Sequence, residues 1–338
     1  MNYTSNYLFD IHNVLDDVIS SESISGKSFL ITGATGLIGS CLVDSLLVSD
    51  KIGLVYAAGR DIKKIKERFA FWGNKVIALE YHAEKDISFD INVDYIIHCA
   101  SNANPMAYST QPIETIMINI LGTNNLLKYA TSYCKERFLY VSSSEVYGIK
   151  NEKTPYEEKD YSLVDILNPR SCYPSSKRTC ETLCASYVKE YGLDVVIVRP
   201  GHVYGPSITS SDTRAHAQFA RDVKNKRNIV MKSKGMQLRS YCYVLDCVSA
   251  LLTVLAKGQR GQAYNISNKE AIVTIREFAE MHAQIAGQQV EFMIPDEVEK
   301  DGFNLMTNSS LDSKKIEALG WCGKYNIERG VRATIDAL

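Results

Sequence analysis

The sequence predicts an α/β chain built on a doubly wound parallel sheet. Three observations predict it. Short apolar strands alternate with helices along the first two thirds of the chain. Each strand is a continuous apolar run rather than a period-two alternation, the pattern of a sheet covered on both faces. A glycine-rich turn, Gly33-Ala34-Thr35-Gly36-Leu37-Ile38-Gly39, joins the first strand to the helix after it.

Residues 8–19 carry apolar side chains at 8, 11, 14, 15, 18 and 19, a helical stripe. It has either the rest of the chain or a second subunit to pack on. Residues 28–31 form the first strand, followed by the turn and a helix over 37–47. A second strand spans 55–58, a charged helix 62–71 and a third strand 76–81. A fourth strand over 95–100 precedes a helix over 113–131, a fifth strand 138–141, a helix over 173–191 and a sixth strand 195–198. The last third is less regular, with helices expected over 246–256, 275–287 and 312–319. The expected domain plan is an N-terminal helical extension over 1–25 and a dinucleotide-binding Rossmann domain over 26–198, with a return segment near 239–262. A smaller, partly interleaved C-terminal α/β substrate domain over 199–338 completes it.

The 338 residues, 45% of them hydrophobic, can bury a substantial core. A formal net charge of −1 gives no basic footprint for nucleic acid, so the expected partner is a small molecule. Nine cysteines at irregular spacing make a poor disulfide framework, and no His or Cys pair completes a zinc set. Buried thiols in a reducing compartment, and no metal, are the expectation. The acidic first 25 residues lack a basic region or long apolar run, and no stretch reaches the ~20 apolar residues of a membrane span. A cytoplasmic protein away from membranes follows as the expectation.

Gly33, Gly36 and Gly39 follow a strand and open a helix, the context in which such a turn binds a dinucleotide pyrophosphate. Gly33 permits the tight turn, Gly36 lets the backbone approach the phosphates, and Gly39 lets the helix pack on the strand. The phosphates then meet free N–H groups and the positive end of the helix dipole. The expected cofactor is a nicotinamide dinucleotide, NAD or NADP. At the end of the second strand, Arg60 suits the 2′-phosphate of NADP. Asp61 suits a ribose hydroxyl of NAD instead, and the balance leans slightly to NADP.

Tyr173 and Lys177 stand four residues apart, on one face of a helix. A tyrosine with a free pKa of ~10 is a poor base at neutral pH. A neighbouring ammonium and the cofactor's positive charge would favour tyrosinate. Ser142-Ser143-Ser144-Glu145, directly after the fifth strand, supplies a serine to orient the proton, at the strand end where a doubly wound sheet places its ligand.

Several further pieces join these: HCAS at 98–101, SSSEVYG at 142–148, YPSSK at 173–177, RPGHVYGP at 199–206, RSYCYVLD at 239–246, YNIS at 264–267 and LGW at 319–321. With GATGLIG at 33–39, they make the chain resemble the extended short-chain dehydrogenases of the nucleotide-sugar epimerase/dehydratase group, from about residue 27 to the end. The resemblance implies that Tyr173 takes the proton of a sugar 4-hydroxyl while hydride leaves C4 for the cofactor. It implies cofactor contacts from Thr35, Leu37, Ile38, Ala100 and Ser101 beside the glycines, and from Tyr173 and Lys177. Ser143 matches the catalytic Ser/Thr, with Ser144 and Glu145 beside it. Asn102, Ser143, Glu145, His202 and Arg239 are the implied contacts to a nucleotide-diphosphate sugar. A homodimer through the helices over 113–131 and 173–191 is implied as well.

Which reaction follows C4 oxidation is written mainly at 143–145. Dehydratases of the group carry Thr-Asp-Glu there, and simple 4-epimerases usually lack the glutamate. Ser143-Ser144-Glu145 and Asn168-Pro169-Arg170-Ser171-Cys172-Tyr173 look most like UDP-glucuronate decarboxylases. A 4-epimerase, a 4-dehydrogenase/4-ketoreductase and a 4,6-dehydratase remain alternatives. So does a catalytically silent dinucleotide-binding regulatory protein, against which the intact Ser143, Tyr173 and Lys177 speak. His202 stands where the group usually has an asparagine, and 308–312 departs from the decarboxylase pattern.

Overall fold

The computed structural model describes residues 3–103, 105–150, 152, 154–209, 212–293 and 306–338. The chain runs through α1 (Ser5–Ile19), β1 (Phe29–Thr32), α2 (Leu37–Val48), β2 (Val55–Gly59), α3 (Ile62–Arg68), β3 (Val76–Glu80) and β4 (Val93–His98). It continues through α4 (Pro105–Thr110), α5 (Pro112–Tyr133), β5 (Cys134–Val141), α6 (Cys172–Tyr191) and β6 (Val195–Pro200). Then come β7 (His202–Tyr204), α7 (Ala215–Lys224), β8 (Ile229–Met231), β9 (Leu238–Tyr243), α8 (Val244–Lys257) and β10 (Ala263–Ile266). The last elements are β11 (Ile272–Thr274), α9 (Ile275–Ala286), β12 (Val290–Phe292), β13 (Asn308–Ser309), α10 (Lys314–Glu317) and α11 (Ile327–Ala337).

Seven strands pair in parallel in the order β3-β2-β1-β4-β5-β6-β10. The chain winds outward from β1 to β3, then starts again at β4 on the other side of β1. That reversal opens a crevice at the carboxyl ends of the strands, where a doubly wound sheet holds its ligand. All of β1 and β6 is buried, because helices cover both faces. Successive residues of β1 point opposite ways. Phe29 and Ile31 join the layer of α2 and α8, and Leu30 joins the layer of α5 and α6.

The N-terminal stripe packs on its own chain. Tyr7, Ile11, Val14, Leu15 and Ile19 of α1 are buried in the α2 and α8 layer. The smaller sheet centres on β9, which pairs with β11, β13 and β7, while β8 and β12 form a two-stranded ribbon.

Several expected elements differ from those observed. The charged helix ends at Arg68, because Phe71 and Trp72 turn back onto Tyr3 through a 3-10 segment in which Gly73 takes φ +56°. The fourth strand stops at His98, leaving Cys99 to Ser101 in the loop that faces the crevice. Of the helix expected over 312–319 only α10 forms: Asp312 accepts from the Lys314 amide, and Gly320 leaves with φ +89°. The return to the main sheet runs through α8 and β10, whereas residues 239–243 lie in β9 of the smaller sheet. All nine cysteines are unpaired, but Cys322 is exposed rather than buried.

Candidate active site

The residues singled out from the sequence lie after the carboxyl ends of β1, β2, β4 and β5, at the start of α6, and on the short strands β7 and β9. The glycine turn sits hard against the loop after β4. Gly33 has φ +67°, and a Cβ there would lie 2.7 Å from the Ala100 backbone nitrogen. A Cβ on Gly39 would lie 2.3 Å from the Gly33 carbonyl oxygen, so only glycine lets α2 approach β1 this closely. Gly36 caps α2 in an extended conformation with no side chain over the first-turn amides. Thr35, Leu37 and Ile38 complete this end of the helix, which thereby presents N–H donors and a positive dipole end to an anion. His98 is buried and exchanges a hydrogen bond of 2.7 Å with Thr32 Oγ1, which also accepts from the Ala100 amide. Burial, with Lys177 nearby, lowers the His98 pKa to about 3, so it is a neutral brace between β1 and β4.

At the far end of β2, Arg60 is exposed and has no ion-pair partner among the described residues. Asp61 caps α3 through one carboxylate oxygen, Oδ1, which accepts from the Lys63 and Lys64 amides at 3.0 and 3.1 Å. Past β4, Ser101 donates to Asn119 Oδ1, Asn119 Nδ2 donates to Ser176, and Ser176 donates to the Tyr173 carbonyl. Asn102 Nδ2 reaches Thr115 Oγ1 at 3.5 Å. This chain of polar groups ties the loop after β4 to the first turn of α6.

Tyr173 and Lys177 occupy the first two turns of α6, both almost fully buried. Lys177 Nζ donates to the Val141 carbonyl at 2.8 Å, sits over the Tyr140 ring, and lies 5.8 Å from the centre of the Tyr173 ring. Burial lowers its pKa to about 8. Burial, reinforced by the charge of Glu145, pushes the Tyr173 phenol up to about 12, while Ser143, Arg214 and Tyr108 pull it back. The expected downward drift of the tyrosine is therefore not a property of the protein alone: desolvation of tyrosinate outweighs the neighbouring cations.

Ser143 begins the short 3-10 turn after β5, its Oγ accepting from the Glu145 amide, and Ser144 is buried beneath it. Glu145 is held by both outer nitrogens of Arg170 at 3.1 and 3.2 Å. Arg170 also covers the Tyr108 ring, and Tyr108 stacks on Tyr173 with ring centres 4.6 Å apart. Beneath these loops, Arg199 grips Glu181 and donates to Tyr147, fixing β6, α6 and the turn after β5 together.

His202 and Arg239 form the opposite wall, on paired strands β7 and β9. Burial, with Arg239, His216 and Arg214 close by, holds His202 well below its usual pKa, and its Nδ1 has no hydrogen-bond partner among the described residues. Arg239 is buried with one donor on the Leu238 carbonyl and no carboxylate partner among the described residues. Its charge and that of Glu145 act on one another across the site.

Tyr108, Asn119 and Arg214 were not legible as site residues. Only Arg170 carried a signal, three positions before Tyr173 in the 168–173 segment. No cluster of His, Cys, Asp or Glu among the described residues could hold a metal ion, and no described helix is long and apolar enough to cross a membrane.

The buried Lys177 ammonium makes one thermodynamic prediction. Between its folded value of about 8 and the ordinary 10.5, the unfolded chain holds more protons than the folded one. Stability therefore rises with pH through that window. The parent protein is expected to gain thermal stability relative to Lys177→Met between pH 7.5 and 10. Melting curves that shift in parallel for the two proteins would contradict it.

The sequence model of the NAD dependent epimerase/dehydratase family matches residues 29–267. The chain is 32% identical over 308 residues to UDP-glucuronic acid decarboxylase 6 of Arabidopsis thaliana, covering 91% of this chain and 87% of that protein. It is 31% identical over 314 residues to UDP-glucuronic acid decarboxylase 1 of Xenopus tropicalis, covering 91% and 71%. Among solved structures it is similar to a Thermus thermophilus UDP-glucose 4-epimerase in complex with NAD, with TM-score 0.76 and 24% identity over 92% of this chain and 98% of that one.

Proposed function

The chain belongs to the NAD dependent epimerase/dehydratase family, and we propose that it modifies a nucleotide-diphosphate sugar by oxidising it at C4, in the manner of a UDP-glucuronate decarboxylase. The observation that carries the reading is the convergence of Ser143, Tyr173 and Lys177 at the switch point of the sheet, with Glu145 and the buried Arg239 facing them. The decarboxylase assignment is supported by Ser143-Ser144-Glu145 and by identity spread over nine tenths of the chain.

The residues fit a nicotinamide dinucleotide. Gly33, Gly36 and Gly39, with Thr35, Leu37 and Ile38, offer the pyrophosphate backbone donors that no side chain occupies. Ala100 and Ser101 border the next stretch of the crevice, and Tyr173 and Lys177 its reacting end. When bound, the nicotinamide supplies the acceptor for the C4 hydride. Arg60 remains available for a 2′-phosphate, and Asp61 holds the α3 cap through Oδ1 while its Oδ2 can still meet a ribose hydroxyl, so the lean to NADP stays slight.

Tyr173 takes the 4-hydroxyl proton, with Ser143 orienting that hydroxyl and stabilising the phenolate. Arg239, a desolvated guanidinium without a carboxylate, meets the diphosphate or the acid of the sugar, with Asn102 and His202 as further contacts. A 4-keto uronate is a β-keto acid and loses carbon dioxide readily. Glu145, braced by Arg170, and Ser144 next to it in the chain would then border C5. The doubly held Glu145 favours a second reading, a 4-epimerase or 4-dehydrogenase/4-ketoreductase, in which the carboxylate only anchors Arg170. Exposed Ile113 and Met117 on α5 suit pairing of two copies through α5 and α6.

Incubation at high enzyme concentration with UDP-glucuronate and either dinucleotide is expected to release carbon dioxide and leave the cofactor unchanged. No carbon dioxide would remove the decarboxylase assignment. A 4-epimer with unchanged cofactor, or stoichiometric cofactor consumption, would then support the second reading.

A further inference from the structure

Helix α6 carries Tyr173, and its next two turns hold the separate piece of chain that carries Ser143. Tyr173, Lys177 and Glu181 follow one another at intervals of four residues, so they share a face of the helix. Lys177 Nζ donates to the Val141 carbonyl at 2.8 Å. Glu181 Oε1 accepts from Ser142 Oγ at 2.6 Å. Beside them, Arg178 Nε donates to the Val146 carbonyl at 2.6 Å, and its Nη2 to the Tyr147 and Ser162 carbonyls at 3.1 and 2.8 Å. The turn after β5 is therefore fastened to α6 just before Ser143 and just after Glu145. Residues 143–145 span the interval between the two fastenings.

The bond from Ser142 sets the orientation at the front end. Ser142 prolongs the pairing of β5 with β6, its amide donating to the Val198 carbonyl at 2.8 Å. Ser143, next in the chain, is extended, with φ −158° and ψ 152°. Successive side chains of an extended chain point to opposite sides. Fixing the Ser142 hydroxyl on α6 thus fixes the roll of the backbone from which the Ser143 side chain leaves.

Glu181 is itself immobile. Arg199 holds both of its oxygens, Nε on Oε1 at 3.0 Å and Nη2 on Oε2 at 2.6 Å. Arg199 Nη1 donates in turn to the Tyr147 hydroxyl at 3.0 Å and the Glu158 carbonyl at 2.9 Å. Only 12% of the Glu181 side chain and 6% of the Arg199 side chain stay exposed. A buried carboxylate gripped at both oxygens by a planar guanidinium has one orientation, and it offers the Ser142 hydroxyl one position.

Ser143 needs that precision. Its Oγ accepts from the Glu145 amide at 3.2 Å, which leaves its own proton for a partner in the site. It also acts on the Tyr173 phenol, drawing the pKa down against the burial that raises it. Hydrogen bonds weaken steeply with angle and distance, so a small roll of the turn would lose this effect.

We propose that Glu181, through Ser142, is a positioning residue that sets the Ser143 hydroxyl against Tyr173, so that one helix carries the base and fixes the register of its partner. The inference rests on the C4-oxidation reading given above. Neither Glu181 nor Ser142 touches the reacting atoms.

Ser142→Ala tests it. The variant lacks one hydroxyl and keeps both bonds from Arg199 to Glu181, so its Tm should stay close to that of the parent. With dinucleotide saturating and UDP-glucuronate or UDP-glucose as the sugar, kcat should fall roughly 10- to 100-fold, the size of a small misplacement. KM for the sugar and the affinity for dinucleotide should change by no more than a few-fold. The acid limb of the kcat profile reports Tyr173 in the ternary complex, and it should move to higher pH as Ser143 loses its hold. Ser142→Thr, which keeps the hydroxyl, should bring kcat and the acid limb back toward the parent. A parent-like kcat in Ser142→Ala would overturn the proposal. So would an acid limb that stays in place, or Ser142→Thr no better than Ser142→Ala. Failure of the underlying reading looks different: a parent that neither reduces dinucleotide nor converts either sugar has no C4 oxidation to position, and both statements then fall.

Discussion

Tyr173→Phe is expected to abolish turnover, lowering kcat by roughly 10³-fold, the scale on which a positioned general acid or base contributes. The substitution isolates one atom. Phenylalanine keeps the ring that stacks on Tyr108 at 4.6 Å and keeps the buried volume at the start of α6. Lys177 holds its position through the Val141 carbonyl rather than through the phenol. Dinucleotide affinity, read by fluorescence titration, should therefore change by no more than a few-fold while turnover of the nucleotide sugar disappears. Unchanged turnover would take the proton-transfer role away from Tyr173. A large loss of dinucleotide affinity would instead mark the hydroxyl as a cofactor contact.

The half of the molecule that holds the glycine turn was legible because its physics is local. A parallel strand buried on both faces must be an apolar run, and Phe29 to Thr32 reads so directly. The turn after it needs glycine for reasons visible in three positions, and the contacts a Cβ would make at Gly33 and Gly39 bear this out. Tyr173 and Lys177 were legible through their spacing on one helix. The smaller sheet and the separate β8–β12 ribbon were not: β7, β8, β11 and β12 are three residues each and β13 is two, too short for any periodicity. α11 was missed although Asn326 caps it and Ile327, Val331 and Thr334 form its inner stripe. Tyr108 and Arg214 reach Tyr173 from elements far away in sequence, so no local pattern announces them. The burial that raises the Tyr173 pKa in the protein alone escapes a local reading for a related reason. Spacing shows the ammonium four residues away, but not the burial that outweighs it.

The largest expected effect on stability lies outside the site, at Asp44. This carboxylate on α2 is fully buried and accepts from four side chains: Tyr3 at 2.7 Å, Tyr7 at 3.2 Å, Trp72 at 2.8 Å and Arg68 at 2.5 Å. Two of these donors come from the N-terminal segment, and two from α3 and the 3-10 turn after it. One carboxylate thus fastens α1 and the end of α3 to the helix whose other end carries the glycine turn. Asp44→Ala strands the Arg68 guanidinium, which keeps only 17% of its surface, and leaves two phenols and an indole without their acceptor. Removing one partner of such a buried pair costs about 3–5 kcal/mol. At ~2 cal/mol/K of unfolding entropy per residue, that is a fall in Tm of roughly 5 °C for a chain this long. Asp44→Asn keeps an acceptor for the phenols but not the charge opposite Arg68, so its Tm should fall between those of the parent and Asp44→Ala. Proteolysis within α1 should accelerate in the same order, since the apolar contacts of Ile11, Val14, Leu15 and Ile19 would then carry the docking of the helix on α2 and α8. Equal melting temperatures for parent and Asp44→Ala would mean that apolar burial, not this carboxylate, docks the N-terminal helix.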